Sequence, residues 1–445
     1  MMKQWTVRVI PALALAAALG ACSDSALAPE PRDAAAGVDA NGAGSGLARA
    51  FLSVSAGLGF TCGTTLDGAA YCWGENGSGQ LGTGDFDARA VPARVAGVPA
   101  ALAASTGAAH ACALTAAGEV YCWGDNSAGQ LGDGTTSGSA SPVRVRRPAG
   151  VRFVSVTTGA VHGCGLATDR ATYCWGDNSA GQLGDGTLNG SSVPVRVQAP
   201  AGAVFRSVRS GDGAAHTCAV GAAGAAWCWG DNSYGQLGTG AAGAPSTVPV
   251  RVAGGVRFTA VAGSGLGHTC AVSTAAQAYC WGDNSNGQLG DGTTVPRPLP
   301  TAVLSTRRYA SVETGWFHSC GSTFLSGAYC WGDANGGKLG NGTASGFTAA
   351  PVAVTASQGF GQMDPGADHS CARRVDGAAY CWGQGFSGQL GDGQSTNSAV
   401  PVRVANPGST PAASRAAGAG RAQARDGVAE WCRARAARGA AVICA

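Results

Sequence analysis

Charge is what this 445-residue chain has least of: Asp, Glu, Lys and Arg together make up 12% of it. Methionine occurs three times, and leucine and lysine are also scarce. A chain short of these helix formers and rich in Val, Thr, Ala and Gly is expected to build short strands and tight turns rather than long helices. No Cys-x-x-Cys pair occurs anywhere, and zinc bound by thiolates usually relies on such close pairs, so zinc is not expected. A nucleophile elbow, a phosphate loop, a zinc-protease helix motif and a haem-attachment motif are missing as well. Those absences remove the common routes to hydrolase, nucleotidase and redox chemistry, and no enzyme activity and no cofactor are expected.

The formal net charge of +3 is unevenly placed: residues 405–445 hold six Arg against Asp426 and Glu430, so everything before them sums to −1. A nearly neutral body has no net electrostatic footprint for nucleic acid, and none is expected as a partner. Against these shortages stand 73 Gly, 17 Cys and a hydrophobic content of 45%. Glycine in that number serves turns, the hydrophobic fraction is too high for a disordered chain, and the cysteines point to an oxidising compartment.

From residue 51 to 404 the chain repeats itself with a period of 50 to 54 residues. The second copy reads Gly107-Ala-Ala-His110-Ala-Cys112, then Tyr121-Cys122-Trp123-Gly124-Asp-Asn126, then Gly129-Gln130-Leu131-Gly132-Asp133-Gly134, then Pro142-Val-Arg-Val145. The Cys-Trp-Gly element returns with Trp73, Trp123, Trp175, Trp229, Trp281, Trp331 and Trp382. A period near 50 is too long for leucine-rich, ankyrin or tetratricopeptide units and exceeds that of WD-type blades. Each unit carries several short β-rich runs between Gly-rich turns and cannot bury its face alone, so neighbours must stack.

The motif series Gly-x-x-His, Trp-Gly-x-Asn-x-x-Gly-Gln-Leu-Gly-x-Gly and Pro-x-x-Val resembles the regulator of chromosome condensation repeat. That resemblance implies an all-β fold: a seven-bladed β-propeller with about four antiparallel strands per blade. Light-sensing members of the family carry Gly-Trp-x-His-Thr repeats, and only Gly315-Trp316-Phe317-His318 approaches them here.

Each copy holds two cysteines ten residues apart: Cys62 and Cys72, Cys112 and Cys122, Cys164 and Cys174, Cys218 and Cys228, Cys270 and Cys280, Cys320 and Cys330, Cys371 and Cys381. If they oppose each other across a hairpin, a three-residue loop lies midway, such as 116–118. Its last residue favours the left-handed region, where Gly68, Gly118, Gly224 and Gly377 sit. Opposed cysteines on an antiparallel pair are close to disulfide separation, so seven disulfides are expected. Arg170, Ala276 and Ser326 occupy the left-handed position in the remaining copies, and Gly327 suggests a one-residue shift in the sixth.

All six histidines, His110, His162, His216, His268, His318 and His369, stand two residues before a cysteine, with Phe60 in the first copy. They could form a metal-binding or proton-handling ring, but six copies of one residue, held apart by a ring, read better as a structural bond to a neighbouring turn. Segments such as Gly176–Gly186 invite a calcium reading, but Leu183 and glycines interrupt the oxygen ligands, so no metal is expected. The tryptophans are expected to pack between blades.

At the N-terminus Lys3 and Arg8 precede the apolar run Val9 to Leu19, followed by Leu19-Gly20-Ala21-Cys22. This resembles a bacterial lipoprotein signal, too short to persist as a membrane span. The resemblance implies a signal peptide over 1–21, lipidation of Cys22 and a location in the bacterial cell envelope, exposed to the periplasm or cell exterior. Residues 22–50 read as a flexible tether, 51–404 as the propeller, and 405–445 as an Ala/Arg/Gly-rich tail, disordered or partly helical, in which Cys432 and Cys444 could pair.

Function in a repeat ring is expected where copies diverge. The stretches 85–90, 241–247 and 344–350, the connections 146–150 and 198–202, and the insertion at Gly211-Asp212 qualify, with Phe86 and Phe347 as aromatic anchors. The reading is a monomeric, envelope-anchored scaffold for a protein or glycan partner. The alternative is an inhibitor of an extracytoplasmic enzyme such as a β-lactamase, which aromatic residues gathered on one face of the ring would favour.

Overall fold

The computed structural model describes residues 50–408, apart from 263, 264, 326 and 358. The signal segment 1–21, Cys22 with almost all of the tether, and the tail beyond 408 with Cys432 and Cys444 lie outside the described residues.

The described chain forms seven four-stranded sheets, each built from four strands consecutive in sequence. In blade 2 these are Ala101–Thr106, His110–Thr115, Val120–Gly124 and Ser139–Arg144. Blades 1 and 3–7 cover 51–94, 153–196, 205–251, 258–302, 309–353 and 360–403. First strands of neighbouring blades meet at six of the seven seams and line the axis, and the fourth strands lie at the rim. Because successive strands run antiparallel, each blade has two distinct ends. One, the hairpin face, gathers the turns between second and third strands and the links between blades. The other, the loop face, gathers the first-to-second and third-to-fourth connections.

The second and third strands pair with each cysteine directly opposite its partner, Cys112 against Cys122 and Leu114 against Val120. The same opposition joins Cys62 to Cys72, Cys164 to Cys174, Cys218 to Cys228, Cys270 to Cys280, Cys320 to Cys330 and Cys371 to Cys381. The two sulfurs of each of the seven pairs stand at bonding distance, with Cα atoms 4.1 Å apart, so the expected pairing is the one the fold adopts. The intervening loop is 116–118, closed by Thr115 and Glu119, with Gly118 at φ +73°. Arg170 and Ala276 take the same left-handed conformation, at φ +70° and +61°, without glycine's freedom. The hairpin of blade 6 shows no register shift: Ser322 pairs with Ala328, and Gly327 fills the place of Glu119. The cysteine pair sets that register whatever the turn residue.

The hydrophobic cores lie between blades rather than within them. Cys270, Cys280, Leu289 and Val303 of blade 5 pack with Tyr309, Val312 and Trp331 of blade 6, all at 3% exposure or less. Each tryptophan indole donates to the carbonyl of the Gly-Gln-Leu-Gly turn in the preceding blade, or of Gly337-Lys338-Leu339-Gly340 in blade 6, as Trp175 Nε1 does to Gln130 at 2.9 Å. The closing glycine of that turn is required by the same contact, since a Cβ on Gly132 would stand 2.8 Å from Trp175 Cδ1. Blade 7 meets blade 1 in the same way, Trp73 donating to Gln389 at 2.9 Å. The ring therefore closes by side-chain packing and by backbone bonds such as Phe51 N–H to the Gly377 carbonyl at 2.9 Å, with no strand exchanged between blades.

Candidate functional site

The six histidines are fully buried. Five reach across to a hydroxyl on the second strand of the next blade: His369 to Thr61 at 2.7 Å, His162 to Thr217 at 2.9 Å, His216 to Thr269 at 2.8 Å, His268 to Ser319 at 2.9 Å and His318 to Ser370 at 2.8 Å. Each hydroxyl donates in turn to the same turn carbonyl that accepts the tryptophan indole, for example Thr269 to Gln236 at 2.9 Å. A hydroxyl spent on that carbonyl accepts from the imidazole, so Nε2 carries the proton. The glycine three residues earlier makes room for the ring: a Cβ on Gly159 would lie 2.0 Å from His162 Cε1. Burial pushes His110, His216 and His369 down to about 4 and His268 to about 3, so all four are neutral at pH 7. The bond thus spans a blade boundary and reaches the turn through a hydroxyl rather than directly. Blade 2 breaks the chain, because His110 faces Gly163 and finds no hydroxyl. Phe60 faces Ala111 within one apolar cluster, a matched replacement of both partners.

The Asn of the supposed calcium segment is likewise spent internally. Asn126 Nδ2 donates to the Thr135 and Ser137 carbonyls at 3.2 and 3.0 Å, and its Oδ1 accepts from Leu131 at 2.9 Å. It pins the third-to-fourth loop to itself.

One-off polar residues, missed in the sequence because no motif links them, come together on the axis. First-strand residues enclose a cavity of about 430 Å³ that includes Arg209, Asp212, Glu313 and Asp364. Leu58, Leu266, Trp316 and Ala367, from four blades, form an apolar plug at its loop-face end. Trp316 of blade 6 lies against Gly213 of blade 4, where a Cβ would come within 2.6 Å of the indole. Gly211-Asp212 thus belongs to the axis rather than to a surface connection. Burial raises Asp364 to about 8, with Glu313 adding to the effect and Arg209 opposing it. Burial also holds Asp212 well above the carboxylate range, with Asp364 adding to it. Asp364 accepts the Ala56 amide at 2.8 Å, while Asp212 Oδ2 and Trp316 Nε1 are buried without a well-formed hydrogen bond. Such a cavity can hold a polar or cationic group; it offers no activated nucleophile.

The divergent stretches 85–90, 241–247 and 344–350 all lie on the loop face, and 146–150 and 198–202 on the hairpin face. Phe86 and Phe347 are 61% and 56% exposed. The structure adds Phe386, 42% exposed, which replaces the polar residues of the other third-to-fourth loops. These three aromatics stand on blades 1, 6 and 7, which are consecutive around the ring.

Comparison with known proteins agrees with the fold. The ultraviolet-B receptor UVR8 of Arabidopsis thaliana is 32% identical over 264 residues, 58% of this chain and 59% of that protein. The human E3 ubiquitin-protein ligase HERC2 is 34% identical over 161 residues, 35% of this chain but 3% of its own length. The chain therefore spans less than two thirds of these curated relatives. Among solved structures, yeast RCC1 (Prp20) bound to Kap60 superposes with a TM-score of 0.68 at 21% identity, covering 76% of this chain and 83% of that one. Human WBSCR16 gives 0.67 at 22% identity, over 76% and 94%. The profile of the regulator of chromosome condensation (RCC1) repeat matches residues 67–114, 117–166, 171–220, 223–272, 276–321 and 376–421. Repeat motifs, seven four-stranded blades and this match together place the chain in the RCC1 repeat family.

Proposed function

We propose that this chain is a non-enzymatic binding scaffold, held at a bacterial cell envelope by a lipid on Cys22, whose loop face receives a protein or glycan partner. The observation that carries the reading is the set Phe86, Phe347 and Phe386, exposed on three consecutive blades of one face. Exposed aromatics are the side chains that most often anchor an interface, and the repeat does not need these three for its own packing. The solved structure of the relative Prp20p was reported with its binding to Gsp1p and histones, a precedent for protein binding on this fold. Three phenylalanines on one face weigh toward a second reading, inhibition of an extracytoplasmic enzyme such as a β-lactamase. Phe324, 67% exposed in the blade 6 hairpin turn, lies on the opposite face, so the exposed aromatics are not confined to one face and the scaffold stays the first reading.

Capture from a cell-envelope lysate with the full chain is expected to recover a partner that the triple variant Phe86→Ala, Phe347→Ala, Phe386→Ala does not. Recovery by both proteins would move the contact off this face, and recovery by neither would count against binding. Titration of a purified β-lactamase with the chain separates the two readings, since a scaffold leaves turnover unchanged. For the anchor, the native chain should need detergent for extraction and Cys22→Ser should come off in high salt. A detergent requirement in both would reject lipidation as the only anchor.

A further inference from the structure

The near-neutral sum of the body conceals an uneven division of charge between the two faces. The hairpin face carries Asp67, Glu119, Asp169 and Asp376 in or beside its turns, but more arginines than these carboxylates can neutralise. Five of seven fourth strands end in an arginine, Arg94, Arg144, Arg196, Arg251 and Arg403, and each such end pairs with the start of the third strand at the hairpin face. Arg152, Arg257 and Arg308 precede first strands at the same face, and all eight are exposed. Arg257 and Arg308 are steadied there by the Ala223 and Ala275 carbonyls, at 3.2 and 2.9 Å. Among the described residues, Arg152, Arg196, Arg251, Arg257, Arg308 and Arg403 have no ion-pair partner. The loop face is the converse. Its repeated Gly-Asp-Asn and Gly-Asp-Gly elements supply carboxylates, and its cations Arg89, Arg297 and Lys338 are bound to Asp85, Asp291 and Asp333 at 2.7, 2.9 and 2.8 Å.

Apolar tips stand among the free arginines. Leu52, Leu102 and Val154 project from the starts of three adjacent first strands, 39 to 50% exposed. Leu66, Leu325 and Val375 occupy hairpin turns, 57 to 95% exposed. Both ends of the described chain also reach this face: the Ala50 carbonyl accepts from Leu66 in the blade 1 turn, and Val404 follows Arg403.

We propose that the hairpin face is a docking surface for an anionic lipid membrane, with its unpaired arginines on lipid phosphates and its leucine and valine tips at headgroup depth. Isolated aliphatic tips between fixed cations suit a lipid interface, where each finds a partner, whereas a nucleic-acid backbone would leave the aliphatic groups exposed. Seated this way, the ring turns its loop face and the three phenylalanines toward a partner. The proposal does not depend on lipidation of Cys22.

The test is co-sedimentation of the full chain carrying Cys22→Ser with phosphatidylcholine vesicles, and with the same vesicles containing about 30% phosphatidylglycerol. Binding is expected to be at least about tenfold stronger to the anionic vesicles and to weaken with salt. The triple variant Arg152→Gln, Arg257→Gln, Arg308→Gln should weaken it about tenfold or more, and Leu325→Ser with Val375→Ser should weaken it measurably, with unchanged thermal unfolding in both. Asp133→Asn with Asp185→Asn on the loop face should leave it unchanged. Equal binding to both vesicles would overturn the proposal. So would binding that vanishes when the six tail arginines become glutamine but survives the face variants. Duplex DNA bound as tightly, through the same three arginines, would mark a general polyanion surface and overturn the choice of lipid.

Discussion

Histidine in this protein is a neutral bridge between blades, and its environment dictates how each copy responds to change. Where a hydroxyl faces it, removing the imidazole leaves that hydroxyl oxygen, a buried acceptor, without its donor. His268→Phe should therefore cost about 1–3 kcal/mol in chemical denaturation. His110 faces Gly163, and Phe already serves at the corresponding place in blade 1, so His110→Phe should cost little or stabilise. Equal losses from the two variants would show that the bond contributes nothing.

The pH dependence has two limbs of opposite sign. Four of the histidines, His110, His216, His268 and His369, held in the fold at about 3 to 4, titrate near 6.5 when unfolded. The unfolded state takes up protons first, so their stabilisation is complete above about pH 6.5 and falls as pH drops toward 4. Asp364, at about 8 in the fold, behaves oppositely: it ionises near 3.9 when unfolded, and stability is lost as pH rises from about 4 to 8. Asparagine mimics the neutral carboxyl and can still accept from Ala56. Asp364→Asn should match the native protein at pH 4 and exceed it in stability at pH 8, as read by thermal unfolding. Coincident curves across that range would refute the assignment.

At the scale of the hairpin, turn and cysteine pair act on the same ten-residue unit. Gly118 shows what the last loop position demands, and Arg170 and Ala276 meet that demand at a steric cost. Arg170→Gly and Ala276→Gly should each stabilise by about 0.5–1 kcal/mol, and Gly118→Ala, whose Cβ would lie 3.0 Å from the Phe153 carbonyl, should destabilise. Removing one cysteine pair, as in Cys320→Ala with Cys330→Ala, should cost about 2.5–3 kcal/mol by loop entropy. Alkylation with mass analysis should find the fourteen repeat cysteines unreactive until reduced. Free thiols in most blades would reject the oxidised state.

The hairpin was legible before any coordinates, because ten-residue spacing and a midway glycine admit few geometries. The histidine partner was not legible. The hydroxyl lies about fifty residues away, in the next blade, and nothing local to Gly-x-x-His points to it. The shift suggested by Gly327 failed for a related reason: a lone glycine near a turn carries less weight than two opposed cysteines fixing the pairing on either side.

At the scale of the ring, every seam uses the same tryptophan-to-turn bond, and five of the seven, including the one joining blade 7 to blade 1, add the histidine–hydroxyl bond. Gln362 adds to that seam by binding the Val54 carbonyl at 2.9 Å. Thr61→Val with Trp73→Phe at the closing seam should therefore destabilise about as much as Thr269→Val with Trp281→Phe at an internal one, with unfolding still a single transition. A separate early transition in the closing-seam variant alone would show that closure is the weak point.

By itself the sequence determined the repeat number, the all-β architecture, the cysteine pairing and the placement of divergent loops, because each is encoded within one fifty-residue unit and stated seven times. Tertiary structure alone decided three things. It joined Arg209, Asp212, Glu313 and Asp364, which lie in different blades, around one axis. It set Phe386 beside Phe86 and Phe347 in the order of blades, and it gathered most of the arginines on the hairpin face and most of the aspartates on the loop face, although the two are interleaved along the chain. In each case the decisive relation is between residues on different blades, and closure of the ring is what brings them into register.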